Sequence, residues 1–257
     1  MCCFSPLGRS ASLLDRILSR PERVHVANTN IFARMEADGI QALVYSMQLG
    51  AAAELAMILP LPILPGAGEQ ALEFMSFEGH SNFFDTLAQL FVVPMPAARG
   101  GPAIHFAPQA RAPLPVHSVG AFEASFVPTQ RDFDRLDPRF RMPESVWQQI
   151  GGYDDFGFAV FRLAPGKKAN VHPMALRFQT RDRTNLFFPT VHVHDGTVHP
   201  SARFDHYLYY QSNSPQSDER APLALPATAH PLLQRDLPVY RRRLHGKLPN
   251  RDTRIAL

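Results

Sequence analysis

The chain has 257 residues, of which 45% are hydrophobic and 19% are charged, and its formal net charge is +3. This composition excludes disorder over most of the chain and is sufficient for a large core. The 24 prolines indicate few long helices, because proline has no amide hydrogen for a helix interior. The expected fold class is therefore α+β, a β-rich single domain of mostly antiparallel strands with a few short helices.

The first half of the chain contains patterns typical of strands and of two helices. Strands are predicted over residues 24–33, 41–49 and 54–59, and helices over residues 10–20 and 81–91. The segment Glu36-Ala37-Asp38-Gly39 is typical of a turn, so the first two strands are expected to form a hairpin.

The second half has more strands and a polar end. Residues 92–115 are predicted as a loop, residues 130–137 and 144–150 as short helices, and residues 116–127, 156–163, 170–178, 186–193 and 198–210 as strands. The dipeptide Asp195-Gly196 predicts a tight turn that joins the last two strands as a hairpin. The domain is expected to span residues 1–210, followed over residues 211–257 by a Pro-rich linker and a basic C-terminal tail.

Positive charge is concentrated at the C-terminus. Residues 241–257 contain six basic residues and one acidic residue, a net +5, which leaves −2 for residues 1–240. A solvated tail explains this pattern, and so does contact with phosphate or another acidic surface. Nucleic acid is not an expected partner, apart from a contact of this tail.

The sequence gives no sign of export or of a membrane partner. No secretory signal is visible after Met1, and no apolar run approaches the ~20 residues that span a bilayer. The expected localisation is cytoplasmic. Cys2 and Cys3 are adjacent and are expected to be reduced thiols.

Several apolar segments resemble an uncharacterised bacterial domain-of-unknown-function family. Residues 53–62 resemble its apolar segment that ends in Pro-x-Pro. Residues 153–163, His172-Pro173-Met174 and Phe187-Phe188-Pro189 are similar to its second half, so the resemblance spans about residues 24–210. It implies a β-rich fold and no known activity, and it transfers no catalytic residue.

The histidine-rich segment from His192 to His206 is the main candidate for chemistry. His192 and His194 are two residues apart on a predicted strand, so their side chains share one face. His199 and His206 lie on the predicted returning strand, where a third ligand could come from. Imidazoles in this arrangement suit a transition metal such as Zn or Cu. Surface histidines beside a turn are the alternative interpretation.

The adjacent cysteines offer a second candidate. Removal of Met1 would give Cys2 a free α-amine, which could act as the base for a catalytic thiol, as in N-terminal-nucleophile enzymes. Cys2 and Cys3 could instead be metal ligands, and a single site could join them to His192 and His194. Incidental buried thiols remain the simpler explanation.

The sequence therefore predicts a metal-binding protein, and a candidate metalloenzyme, that acts on an unknown small molecule. The alternatives are an N-terminal-nucleophile amidohydrolase and a non-catalytic binding or scaffold protein. The chain has no Gly-x-Ser-x-Gly, Gly-x-x-x-x-Gly-Lys or His-Glu-x-x-His motif, which argues against nucleotide-dependent enzymes and the standard hydrolases.

Overall fold

The structure, a computed structural model, describes most of the chain in eight pieces. They are residues 2–6, 24–51, 54–92, 123–136, 141, 144–164, 166–194 and 197–257, with only the backbone of residues 2–6, 144–145, 150 and 166–169. The helix predicted over residues 10–20, nearly all of the predicted loop and the predicted Asp195-Gly196 turn lie outside the described residues.

A five-stranded sheet forms one side of the core. Its strands in spatial order are β11 (His192–Val193), β1 (Cys2–Pro6), β4 (Leu55–Leu61), β7 (Gly157–Leu163) and β6 (Ala124–Val127). Only the β1–β11 pair within it is parallel, with Cys2 beside His192 in the register.

An eight-stranded sheet forms the other side. Its order is β13 (Glu219–Arg220), β14 (Val239–Pro249), β12 (Ser201–Gln211), β2 (His25–Met35), β3 (Ile40–Ala51), β9 (Met174–Gln179) and β5 (Leu72–Met75), and β8 (Gly166–Asn170) also pairs with β3. The β12–β2 pair is parallel, and the other pairs are antiparallel. A separate antiparallel pair joins β10 (Asn185–Phe188) to β15 (Thr253–Ala256).

The main core lies between the two large sheets because strand side chains alternate between faces. In β4, Met57 and Leu59 point into this core, whereas Ile58 points to the other face and packs in a cluster with Trp147. Every residue of β4 is buried, which explains its continuous apolar sequence.

Short helices cover the outer faces of both sheets. The helix α1 (Phe83–Gln89) packs with the outer face of the eight-stranded sheet, and α2 (Glu144–Ile150) with that of the five-stranded sheet. Two 3-10 helices span Ala37–Gly39 and Gln130–Arg135. The expectation of a β-rich, mostly antiparallel fold with few short helices is thus confirmed, although the α+β label is not. No helix in the described part of the chain is long and apolar enough to cross a membrane.

The predicted hairpin over residues 24–49 is confirmed, but the predicted hairpin over residues 186–210 is wrong. The first segment of that second hairpin forms two strands, β10 and β11, which belong to different sheets. Pro189 follows β10 directly, and proline cannot donate a ladder hydrogen bond. The second segment, β12, pairs instead with β14 and β2.

The C-terminal segment expected to be a tail is built into the fold. Residues 239–249 form β14, which pairs with β12 along its full length, and β15 pairs with β10. The segment was expected to be a tail because of its charges, and the alternation of side chains between the two faces of β14 explains how a charged segment can be part of a sheet. Leu244 packs against the core, whereas Arg243 and Lys247 on the other face of the strand remain exposed to solvent.

Candidate functional site

The histidine-rich segment is held in place by the turn that follows β14. The His192 amide donates to the Asn250 side-chain oxygen at 2.7 Å, and the Asn250 amide nitrogen donates to the His192 carbonyl at 2.9 Å. The same Asn250 nitrogen also donates to the His199 carbonyl at 2.9 Å. One asparagine therefore fixes the short strand β11 against the end of the eight-stranded sheet.

His192 and His206 form a hydrogen-bonded imidazole pair between the two sheets. Their Nε2 atoms lie 3.0 Å apart, and the His206 Nδ1 accepts from the Asp205 amide at 3.2 Å. A neutral imidazole that accepts at Nδ1 carries its hydrogen on Nε2. This network therefore assigns the donor role to His206 Nε2 and the acceptor role to His192 Nε2.

Burial keeps both imidazoles neutral. The His192 ring lies between the rings of His194 and Phe204, at centroid distances of 5.0 Å and 4.6 Å, and His206 is 3% exposed. Desolvation lowers the pKa of His192 to about 2 and the pKa of His206 to about 3. Neither group titrates near neutral pH, where a general acid or base works best.

The predicted metal-binding function is wrong for this arrangement. Among the described residues, no group of three or more His, Cys, Asp or Glu side chains is placed to hold a metal ion. The Nε2 atoms of His192 and His206 face each other at hydrogen-bonding distance instead of converging on a common point. His194 stacks on His192, and His199 is exposed near the start of β12.

The predicted roles of Cys2 and Cys3 concern side chains that lie outside the described part of the chain. The backbone of β1 runs parallel to β11. Cys2 is the register partner of His192, and a site that joins Cys2 or Cys3 to His192 and His194 stays a prediction.

A cationic surface on β12 and β14 is the most distinctive feature that the sequence did not locate. We call it the basic face, and it consists of the exposed side chains of Arg203, Arg243, His245 and Lys247. Their positions alternate along two paired strands, so they project from one side of the sheet. The period-two pattern of Arg, Arg, His and Lys from residue 241 to residue 247 was the available sequence signal.

Two cations of the basic face are directly opposite each other. Arg203 is the register partner of Lys247, and like charges at such positions destabilise a sheet. Asp205 is an acid on this surface; its Oδ1 is 3.7 Å from His245 Nδ1, and its Oδ2 accepts from the Asn28 amide. Within the described residues, neither Arg203 nor Lys247 has an ion pair.

A cleft opens on the opposite side of β14. It has a volume of about 490 Å³ and is lined by Phe204, Arg242, Leu244, Leu248, Pro249, Arg251, Asp252, Thr253 and Arg254. Its walls thus combine apolar side chains of β12 and β14 with guanidinium groups. Arg242 is already paired with Asp218, at 2.8 Å.

Comparison with known proteins finds similarity to solved structures, among them structures of a viral protein. No protein-family model and no curated protein matches the chain. The crystal structure of baculovirus P35 is similar over 91% of this chain and 97% of its own, at 10% identity and a TM-score of 0.46. A caspase-8/P35 complex is similar over 90% and 96%, at 9% identity and a TM-score of 0.40. A mutated baculovirus P35 after caspase cleavage is similar over 90% and 99%, at 10% identity and a TM-score of 0.41. Such values assign neither a family nor a function to this chain.

Proposed function

We propose that this chain is a protein-binding protein that holds an acidic partner on its basic face. The observation that carries the proposal is the like-charged cross-strand pair of Arg203 and Lys247. Such a pair reduces folding stability, and a bound carboxylate between the two side chains would remove the repulsion.

The chemistry at the neighbouring position favours a protein partner over the small molecule that the sequence suggested. Beside the basic face, Arg241 binds a carboxylate of this chain, because its Nε and Nη2 donate to Glu219 Oε2 at 2.9 Å and 2.7 Å. Strand β14 thus already binds one protein carboxylate at its outer edge. The basic face also extends along two paired strands, and a surface of this kind suits a macromolecule.

The charge distribution supports this proposal. The net +5 of residues 241–257 contrasts with −2 for residues 1–240, and although Glu219 and Asp218 pair with Arg241 and Arg242, Arg243 and Lys247 leave positive charge concentrated on the basic face. A concentrated field of this kind accelerates association with an acidic surface and makes the association sensitive to salt.

The test measures binding of fluorescein-labelled poly-L-glutamate by fluorescence anisotropy, at low and at physiological ionic strength. We expect Lys247→Glu to weaken binding about tenfold at low salt, because it replaces attraction by repulsion at the position opposite Arg203. The matched control is Arg131→Glu, a charge reversal at an exposed arginine on the 3-10 helix of residues 130–135.

Two results would contradict the proposal. Equal losses in the two variants would show only a general attraction of polyanions to a basic protein. Tighter binding of a labelled DNA duplex than of poly-L-glutamate, with the same dependence on Lys247, would make nucleic acid the partner class.

A further inference from the structure

The outer edge of β14 is open to a further strand. Its inner edge pairs with β12 over its full length, from Val239 to Pro249. Its outer edge pairs with β13 at only two residues, Tyr240 and Arg241. Among the described strands, none pairs with this outer edge beyond Arg241. An edge of this kind presents backbone donors and acceptors to another chain.

The hydrogen bonds already made show which residues face outward. The Ala221 amide donates to the Val239 carbonyl at 2.8 Å, so Val239 directs its backbone groups to the outer side. Backbone groups alternate in direction along an antiparallel strand, and the register with β12 continues without a shift to Pro249. Arg243, His245 and Lys247 therefore direct their amide and carbonyl groups outward.

Strand β13 shows how an acidic side chain fits this edge. Glu219 is the register partner of Arg241, and its carboxylate accepts two hydrogen bonds from that guanidinium. The residues that precede Glu219 in the chain do not continue β13 along this edge. The Asp218 carboxylate accepts a hydrogen bond from Arg242, and the Gln216 side-chain amide donates to the Ala256 carbonyl. The edge beyond Arg241 therefore carries basic side chains that can bind acids, and no described strand of this chain pairs with it.

The positive charge along the outer edge of β14 determines which kind of strand can pair with it. A second copy of the chain would bring its own Arg243 and Lys247 against the same side chains, and such cations are a common protection of sheet edges against self-pairing. A strand with acidic side chains opposite Arg243 and Lys247 would meet complementary charge. The side chains between the acidic residues of this partner strand would lie on the side of Leu244 and Leu248, which line the 490 Å³ cleft.

We propose that an extended partner segment with alternating acidic and apolar residues adds as an antiparallel strand to β14, from Arg243 to Lys247. This inference rests on the proposed function and gives its mode of binding. Backbone hydrogen bonds supply affinity in strand addition, and the alternate side chains supply specificity.

The test uses the peptide acetyl-Val-Glu-Val-Glu-Val-Glu-Val-amide and the full chain. In the proposed register, each glutamate amide donates to a β14 carbonyl, whereas each internal valine amide points away. We expect N-methylation of the three glutamates to weaken binding at least about tenfold, since three hydrogen bonds are lost. N-methylation of the internal valines is the matched control and is expected to have little effect. Neither change can affect the folding of the protein.

Hydrogen exchange gives an independent measurement on the protein side. Bound peptide is expected to slow exchange at the amides of Arg243, His245 and Lys247, while the amides of Arg242 and Leu244, which face β12, remain unchanged. The Lys247→Glu variant is expected to lose this protection.

The possible failures are distinguishable. If both N-methylated peptides bind as well as the parent peptide, and poly-L-glutamate binding still depends on Lys247, strand addition is wrong and the proposed function stands. If no acidic probe depends on Lys247, both proposals fail. If the free chain self-associates and its edge amides become protected with concentration, a second copy occupies the edge and strand addition by a partner is overturned.

Discussion

At the scale of single residues, one buried amide side chain joins two parts of the fold that are far apart in sequence. The Gln41 Nε2 donates to the Phe187 carbonyl at 2.7 Å, and the Phe187 amide donates to Gln41 Oε1 at 3.0 Å. Gln41 has no solvent exposure, so water cannot replace it. No local pattern predicts this contact, because 146 residues separate the two partners.

We expect Gln41→Leu to lower the free energy of unfolding by about 2–4 kcal/mol, since it leaves a buried amide and a buried carbonyl without partners. Urea denaturation followed by circular dichroism measures this change. The control is Gln89→Leu at an exposed position of α1, with an expected change within about 0.5 kcal/mol. Equal stability of the two variants would show that the Gln41 contact contributes nothing.

The imidazole pair predicts a loss of stability in acid. The folded-state pKa values of His192 and His206, about 2 and about 3, lie below the unfolded value of about 6.5. As the pH falls from 6.5 toward 3, the unfolded chain therefore binds protons that the folded chain does not. Folding stability should decrease by up to about 1.4 kcal/mol per pH unit for each histidine, and it should gain nothing from this pair above pH 7.

Urea unfolding at a series of pH values between 7 and 4 measures this slope. His206→Leu removes one of the two titrating groups and should make the slope shallower. His25→Leu, at an exposed histidine of β2, should leave it unchanged. A slope that His206→Leu does not alter would place the acid sensitivity elsewhere in the molecule.

At the scale of elements, the sequence predicted the strands, helices and hairpin whose patterns lie within a short stretch of the chain. The β2–β3 hairpin follows from two alternating segments around a short turn, and β4 and α1 follow from their own apolar patterns. The partners of β12 did not follow, because β2 lies about 180 residues earlier and its pairing is parallel. The charges of β14 suggested a solvated tail, although a sheet with one solvated face has the same alternation.

The register of β12 and β14 makes a prediction that joins stability to binding. Lys247→Glu replaces the like-charged pair with Arg203 by a pair of opposite charges, so we expect the protein to become more stable by about 0.2–1 kcal/mol. Thermal unfolding of the variant and of Arg131→Glu measures this gain. If Lys247→Glu loses stability as well as affinity, its loss of binding reflects damage to the sheet, and the electrostatic role of Lys247 is wrong.

At the scale of the whole molecule, the C-terminal residues connect the two large sheets. After β14, the Asp252 Oδ1 accepts from the amides of Thr190 and Val191 at 2.8 Å and 3.0 Å, and its Oδ2 accepts from the Tyr153 hydroxyl at 2.5 Å. Thr190 and Val191 lead into β11 of the five-stranded sheet. These contacts could not be predicted from the sequence, because each partner lies at least 61 residues away and Asp252 stands among basic residues.

The same carboxylate gives a test of whether the C-terminal segment is part of the cooperative fold. Asp252→Ala would leave the buried amides of Thr190 and Val191 without an acceptor, so we expect a loss of about 2–4 kcal/mol in the free energy of unfolding. Asp154→Ala, at an exposed aspartate beside Tyr153, is the control and should change little. A mobile tail would make the two variants equally stable, whereas a segment that joins the sheets makes Asp252→Ala unfold earlier in a single transition, because both sheets lose the same anchor.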